Sequence, residues 1–264
     1  MLSMYFVIVL LNGILSSQIR HFEKQARLKE EKLNALNFYN TLFNSISHEL
    51  RTPITTIMGV TENLLSKEVK LSEDNRNELN HEVLIAAARL NRLVDNLLNM
   101  SRIESGFLKP KLTWCDVNEI IHTAIGNLPE NMQKNIHVNI QKDIPLVKLD
   151  FGLIEQTLNN LLHNARVHTP ANTSAIVTAC IDGNKLKMSV TDNGPGFPLS
   201  ENLEKTDLYS QSGRKGGLGL GLTIARGFVN MHGGELLIEN NAGGGACVSA
   251  LIPAETMEWR ESYE

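Results

Sequence analysis

Apolar residues in the first half of the chain recur at alternating spacings of three and four, the period of one helix face. Ile19, Phe22, Ala26, Leu33, Leu36 and Phe43 begin the stripe, interrupted by Lys29 and Asn40. Ile46, Leu50, Pro53, Ile57, Val60 and Leu64 continue it. Polar residues gather between Ser66 and Asn77, which predicts a loop. A second stripe follows at Leu79, Val83, Ala86, Leu90, Leu93, Leu97 and Met100, and Ser105-Gly106 and Pro110 end it. Two long amphipathic helices joined by one loop predict an antiparallel hairpin. A lone hairpin leaves much of its stripe open, so two copies pairing into a four-helix bundle is the expected solution.

Beyond Pro110 the pattern changes. Asp116 precedes Val117, Ile120 and Ile121, a capped helix start. Ile136, Val138 and Ile140 alternate with polar residues as a half-buried strand does. Asp150 caps a helix carrying Leu153, Ile154, Leu158, Leu161, Leu162 and Ala165. Alternating runs at Ala175 to Ile181 and Leu186 to Val190 flank Asp182-Gly183-Asn184-Lys185, a hairpin signal. A glycine-dense region, another helix, and strands around Leu236–Ile238 and Cys247–Ile252 complete the chain. The fold class is α+β, with helices on one face of an antiparallel sheet. The domain boundary falls near 106–115.

Composition narrows the picture. The chain has 264 residues, 42% hydrophobic, with a net charge of −4, which excludes wholesale disorder and argues against direct nucleic-acid binding. Cys115, Cys180 and Cys247 lie far apart, so neither a disulfide framework nor a zinc site is expected. Met1 to Leu15 is almost wholly apolar, short of the roughly 20 residues that span a bilayer. Arg20, Lys24, Arg27, Lys29 and Lys32 follow, against Glu23, Glu30 and Glu31. An apolar segment with a positive flank reads as the end of a transmembrane helix, with the following chain cytoplasmic. The other reading is a buried or disordered start.

Four clusters carry chemistry. In Ser47-His48-Glu49-Leu50-Arg51-Thr52-Pro53, the stripe leaves His48 facing water, with Thr52 one turn along. Glu49 can hold one ring nitrogen protonated so that the other keeps its lone pair for attack. Asn160, Asn164 and His168 form one polar line on a helix, and amide oxygens suit Mg²⁺. Asp192-Asn193-Gly194-Pro195-Gly196 follows a strand, placing a carboxylate where it can accept from an exocyclic amine such as that of adenine. Gly216-Gly217-Leu218-Gly219-Leu220-Gly221-Leu222 runs into a helix, whose first N–H groups favour phosphate. No Gly-Lys-Ser/Thr follows, so this is not a P-loop.

In that order, the four clusters resemble the H, N, G1 and G2 boxes of sensor histidine kinases. The resemblance spans about residues 40–255. It implies a phosphoacceptor hairpin that dimerises, followed by an ATP-binding α/β sandwich of the gyrase, chaperone and kinase type (the GHKL or Bergerat fold). The implied segments are 1–18 for the end of a transmembrane helix, 19–40 for a coiled-coil linker and 41–106 for dimerisation and phosphotransfer. ATP binding would occupy 111–255, with 256–264 a tail. His48 is implied as the phosphorylated residue, with Glu49 its acid/base partner and Thr52 orienting water for dephosphorylation. Asn164 and Asn160 would hold Mg²⁺, and Asp192 with Gly194 and Gly196 would read adenine. Arg166, His168, Lys215, Gly217, Gly219, Gly221 and Leu222 would complete the ATP site beneath a lid at about 199–216. The implied partners are a response regulator receiver domain, a second copy of the chain and the inner membrane.

Two departures stand out. The family carries a basic residue three after the metal-binding Asn, where this chain has Val167, with Arg166 one position earlier. Its Phe-x-x-Phe-like lid stretch is poorly kept in Glu204-Lys205-Thr206-Asp207-Leu208-Tyr209. An ATP-binding scaffold without activity, or an enzyme that is mainly a phosphatase, therefore stay open. Related ATPases place a water-activating glutamate where this chain has Asn160, which predicts poor ATP hydrolysis. The Trp114-Cys115-Asp116-Val117-Asn118-Glu119 and Gly244-Gly245-Ala246-Cys247 stretches resemble the potassium-responsive KdpD-type members, whose C-terminal portion this chain would be.

Overall fold

The computed structural model describes residues 18, 20–22, 24–25, 29, 33, 43–66, 71–106, 108–167, 169–170, 173–197 and 220–257. The apolar start, most of the 19–40 linker, the lid and the end of the tail lie outside them. Among the described residues no helix is long and apolar enough to cross a membrane. Helix α1 covers residues 43–65, and the chain divides within it into two compact units, Met1–Thr52 and Pro53–Glu264.

In the first unit, helical residues 43–52 leave His48, Arg51 and Thr52 exposed and Ile46 and Leu50 half-buried, as the stripe requires. Ser47 Oγ donates to the Phe43 carbonyl at 2.8 Å, and Thr52 Oγ1 to that of His48 at 3.3 Å.

The second unit begins with the rest of α1 and with α2 (Glu73–Glu104). Helix α2 starts inside the segment expected to be loop. Ser72 caps it, its hydroxyl accepting from the Asn75 N–H, and Glu73 and Asp74 in the first turn suit the positive end of the helix dipole. Burial falls where the stripes put it: Pro53, Val60, Ala86, Leu93 and Met100 are buried. Off the stripes, Ile54, Met58, Leu84, Ile85, Val94 and Leu98 are exposed.

The remainder is a sandwich. A five-stranded sheet has the order β2-β4-β5-β7-β6 (Ile136–Ile140, Ala175–Asp182, Lys185–Asp192, Ala246–Pro253, Glu235–Asn240), with only β2 and β4 parallel. Against it lie α3 (Val117–Gly126), α5 (Phe151–Val167) and α6 (Leu220–Met231), with the single turn α4 (Glu130–Gln133) leading into β2. Ile120, Ile154, Leu158, Leu161, Met188, Ile224 and Phe228 are fully buried, each contributing about 1.5–3 kcal/mol by leaving water. A second sheet, β1-β3-β8 (Thr113–Cys115, Leu146–Leu149, Thr256–Met257), was not expected. Its last strand corrects the expected tail: Val147 and Leu146 pair with Thr256 and Met257, so the chain is still in the fold at 257.

Local chemistry fixes α5, the helix that matters most for the site. Asp150 accepts from the Leu153 N–H at 3.1 Å through Oδ1 and from the Lys111 N–H at 2.7 Å through Oδ2. Its own N–H donates to His232 Nε2 at 3.1 Å. That acceptor role puts the imidazole proton on Nδ1, 2.7 Å from the Phe228 carbonyl. One residue thus ties the start of α5 to the end of α6 and to the strand approach from the hairpin. Glu155 Oε1 accepts from Asn127 at 3.0 Å and also from Asn159, fixing α5 to the end of α3.

Candidate nucleotide site

Helices α5 and α6 pack so that Gly221, in the first turn of α6, faces the amides of α5. A Cβ at 221 would stand 3.5 Å from both side-chain atoms of Asn164 and 3.7 Å from Asn160 Oδ1. Asn160 Nδ2 is buried and, among the described residues, has no hydrogen-bond partner. A buried amide left unsatisfied costs about 1–3 kcal/mol, so this group is poised for a ligand. Two neutral amide oxygens beside a helix N-terminus fit a hard cation that keeps phosphate oxygens in its shell. Among the described residues there is no cluster of three His, Cys, Asp or Glu side chains able to hold a metal.

Asp192 ends β5, with its carboxylate held from one side. Oδ1 accepts from the Gly194 N–H at 2.8 Å and the Ala246 N–H at 3.3 Å. Among the described residues Oδ2 has no partner, so it can accept from a ligand amine. Glycine is required around it. A Cβ on Gly194 would collide with the Thr169 side chain, and one on Gly245, at φ +90°, with the Asp192 carbonyl. Gly196 takes φ +74°, a conformation that favours glycine, where a Cβ would sit 2.8 Å from Asn240 Oδ1. Asn240 pins the loop from the other side, accepting from the Phe197 N–H and donating to its carbonyl, both at 2.7 Å.

Of the expected ATP-site residues, the structure therefore gathers Asn160, Asn164 and Gly221 in one group and Asp192, Gly194 and Gly196 in another. Leu222 is buried in the core side of α6. Arg166 is engaged by backbone carbonyls. Its guanidinium donates to the Thr173 carbonyl at 2.6 Å and the Asn131 carbonyl at 3.4 Å, bracing the chain before β4 and the α4 turn. Two residues on from Asn164 is about 200° around the helix, which explains why it points elsewhere. His168, Lys215, Gly217 and Gly219 lie outside the described residues.

In the first unit His48 is exposed and Glu49 half-buried. Pro53 has no N–H for the Glu49 carbonyl, so the helix lacks one backbone bond at the turn bearing His48.

Comparison with known families decides the membership. Residues 39–106 match the His Kinase A (phospho-acceptor) domain, and residues 150–256 match the histidine kinase-, DNA gyrase B-, and HSP90-like ATPase. The chain belongs to the sensor histidine kinases. It is 31% identical to sensor protein KdpD of Escherichia coli (strain K12) over 98% of its own length and 29% of that relative's. The chain thus spans less than a third of the length of that sensor kinase. Two solved structures share its fold. One is histidine kinase ThkA in complex with response regulator protein TrrA, at TM-score 0.61 and 24% identity over 87% of this chain and 66% of that one. The other is full-length ShkA in complex with AMPPNP, at TM-score 0.57 and 23% identity over 82% and 46%.

Further contacts of this sensor-kinase chain escaped sequence reading. Ala246 holds Asp192 through its N–H while Gly245 leaves room for the Asp192 carbonyl, and the run Gly243-Gly244-Gly245 before a strand was the available signal. Thr169 seals Gly194, its hydroxyl donating to the Ala165 carbonyl at 2.5 Å. Arg92 of α2 hydrogen-bonds His163 of α5, a pairing across 71 residues that no local pattern signals.

Proposed function

We propose that the chain is the cytoplasmic part of a membrane sensor histidine kinase that transfers the γ-phosphoryl group of ATP to His48 and then to an aspartate of a response regulator. The observation that carries this is the apposition of Gly221 to Asn160 and Asn164, which brings a helix N-terminus and two side-chain amides together in a seat that suits phosphate. Asn164 and Asn160 would hold Mg²⁺, which neutralises charge on the phosphates when bound. Asp192 accepts from the adenine amine through Oδ2 while backbone N–H groups hold Oδ1. His48 supplies a ring nitrogen that bonds to the γ-phosphorus as the bond to the β–γ bridging oxygen breaks and ADP leaves. Glu49 takes or holds the proton on the other ring nitrogen, and Thr52 orients water when the regulator is dephosphorylated.

The exposed apolar residues Ile54, Met58, Leu84, Ile85, Val94 and Leu98 support two copies pairing through the hairpin, over residues 41–106. Residues 111–257 would form the ATP-binding domain, and 1–18 with the 19–40 linker the membrane connection. Mg-ATP binding and transfer test this reading. Wild-type chain should bind Mg-ATP, Asn164→Ala should not, and label from the phosphorylated chain should move to a purified receiver domain. A chain that binds ATP but never labels is a scaffold, and one that only strips a phosphorylated regulator is a phosphatase. Either result would overturn the kinase assignment.

A further inference from the structure

The second hairpin helix touches the nucleotide-bearing helices at two places. Ile103 of α2 packs where Gly227 of α6 lacks a side chain, and a Cβ there would come within 2.8 Å of Ile103 Cδ1. Eleven residues earlier on α2, Arg92 Nη1 hydrogen-bonds His163 Nε2. Arginine only donates, so Nε2 accepts and the imidazole is neutral in this contact. His163 lies three residues after Asn160 and one before Asn164, on the stretch of α5 that Gly221 faces. A guanidinium from another helix thus grips α5 beside the two amides, in a helix whose own position 167 is Val rather than a basic residue.

We propose that Arg92 is a positioning residue for nucleotide binding: by holding His163 it fixes the rotation of α5 against the first turn of α6, so that α2 docking and occupation of the Asn160–Asn164–Gly221 seat are coupled. The seat exists only while the amides of α5 face the backbone of α6 at van der Waals distance. Bonds that hold α5 in that rotation before ligand arrives lower the ordering cost of binding. Coupling of this kind is reciprocal, so bound nucleotide strengthens α2 docking by the same factor that docking strengthens nucleotide binding. The inference rests on the ATP-binding reading of the seat.

The test is a double-mutant cycle on the affinity of the full chain for Mg-AMPPNP, read by calorimetry, with thermal midpoints recorded without nucleotide. Arg92→Ala and His163→Ala should each weaken binding by about 3- to 10-fold, and the double variant should be no weaker than the poorer single. Arg92→Lys, which keeps a donor, should recover at least part of the loss, which a general destabilisation would not do. Unchanged affinity in either single variant, losses that multiply in the double, or no recovery by lysine would overturn the proposal. Wild-type chain that binds no nucleotide would instead overturn the ATP-binding reading, so the two failures are distinguishable.

Discussion

Gly221 meets Asn164 with nothing between them: a single added carbon would already touch both atoms of the amide at 3.5 Å. The space that a side chain would fill is the space a phosphate can use. Gly221→Ala should therefore keep Mg-nucleotide affinity within about 3-fold, since 3.5 Å is ordinary contact. Gly221→Val puts two more carbons into the seat and should weaken binding at least 10-fold. A calorimetric titration of both variants checks this, with circular dichroism confirming the fold.

Asp192→Asn separates holding from reading. The amide oxygen can still accept from Gly194 and Ala246, so the loop keeps its shape, but the free acceptor becomes a donor. ATP affinity should fall at least 10-fold and the preference for ATP over GTP should shrink, as measured by competition with a fluorescent nucleotide.

Asp150 serves stability rather than chemistry. Asp150→Ala removes the acceptor for the Leu153 and Lys111 N–H groups. Loss of a helix cap costs about 0.5–2 kcal/mol and of a further hydrogen bond about 1 kcal/mol. Denaturant unfolding should show a loss in the range of about 1–3 kcal/mol, with the slope unchanged.

Gly227 and Ile103 form a size-matched pair. Gly227→Val should destabilise the chain by displacing Ile103, and Ile103→Ala in the same chain should restore part of the loss, because the two changes share one space. Thermal midpoints of the two singles and the double read the coupling directly.

Asn160 bears on the fate of ATP. An amide in the place of a water-activating glutamate should leave hydrolysis slow even without a phosphoacceptor. His48→Ala should release phosphate from ATP no faster than wild type in a steady-state assay. Brisk turnover would contradict that role for Asn160.

Helix stripes and caps made most of this fold legible. Leu79 to Met100 declared α2, and Asp116 and Asp150 stood where their carboxylates cap α3 and α5. The sheet β1-β3-β8 was not legible, because strands of three, four and two residues are too short to show alternation. They pair across sequence separations such as Thr113 with Leu149 and Val147 with Thr256. Candidate site residues were legible where the residue type itself suggests the chemistry, as at Asn164, Asp192 and Gly221. Side-chain direction was not legible, as at Arg166, whose guanidinium braces Thr173 and Asn131. Nor could local sequence reveal contacts made by distant backbone, such as the hold of Ala246 on Asp192.

The central claim is that the exposed imidazole of His48 receives phosphate from ATP bound in the sandwich. Incubating the chain with γ-labelled ATP and Mg²⁺ tests it most directly. Acid-labile, alkali-stable label on the wild-type chain, absent from both His48→Ala and Asn164→Ala, is the expected result. Label that persists in His48→Ala, or a wild-type chain that binds Mg-ATP and acquires none, would contradict it.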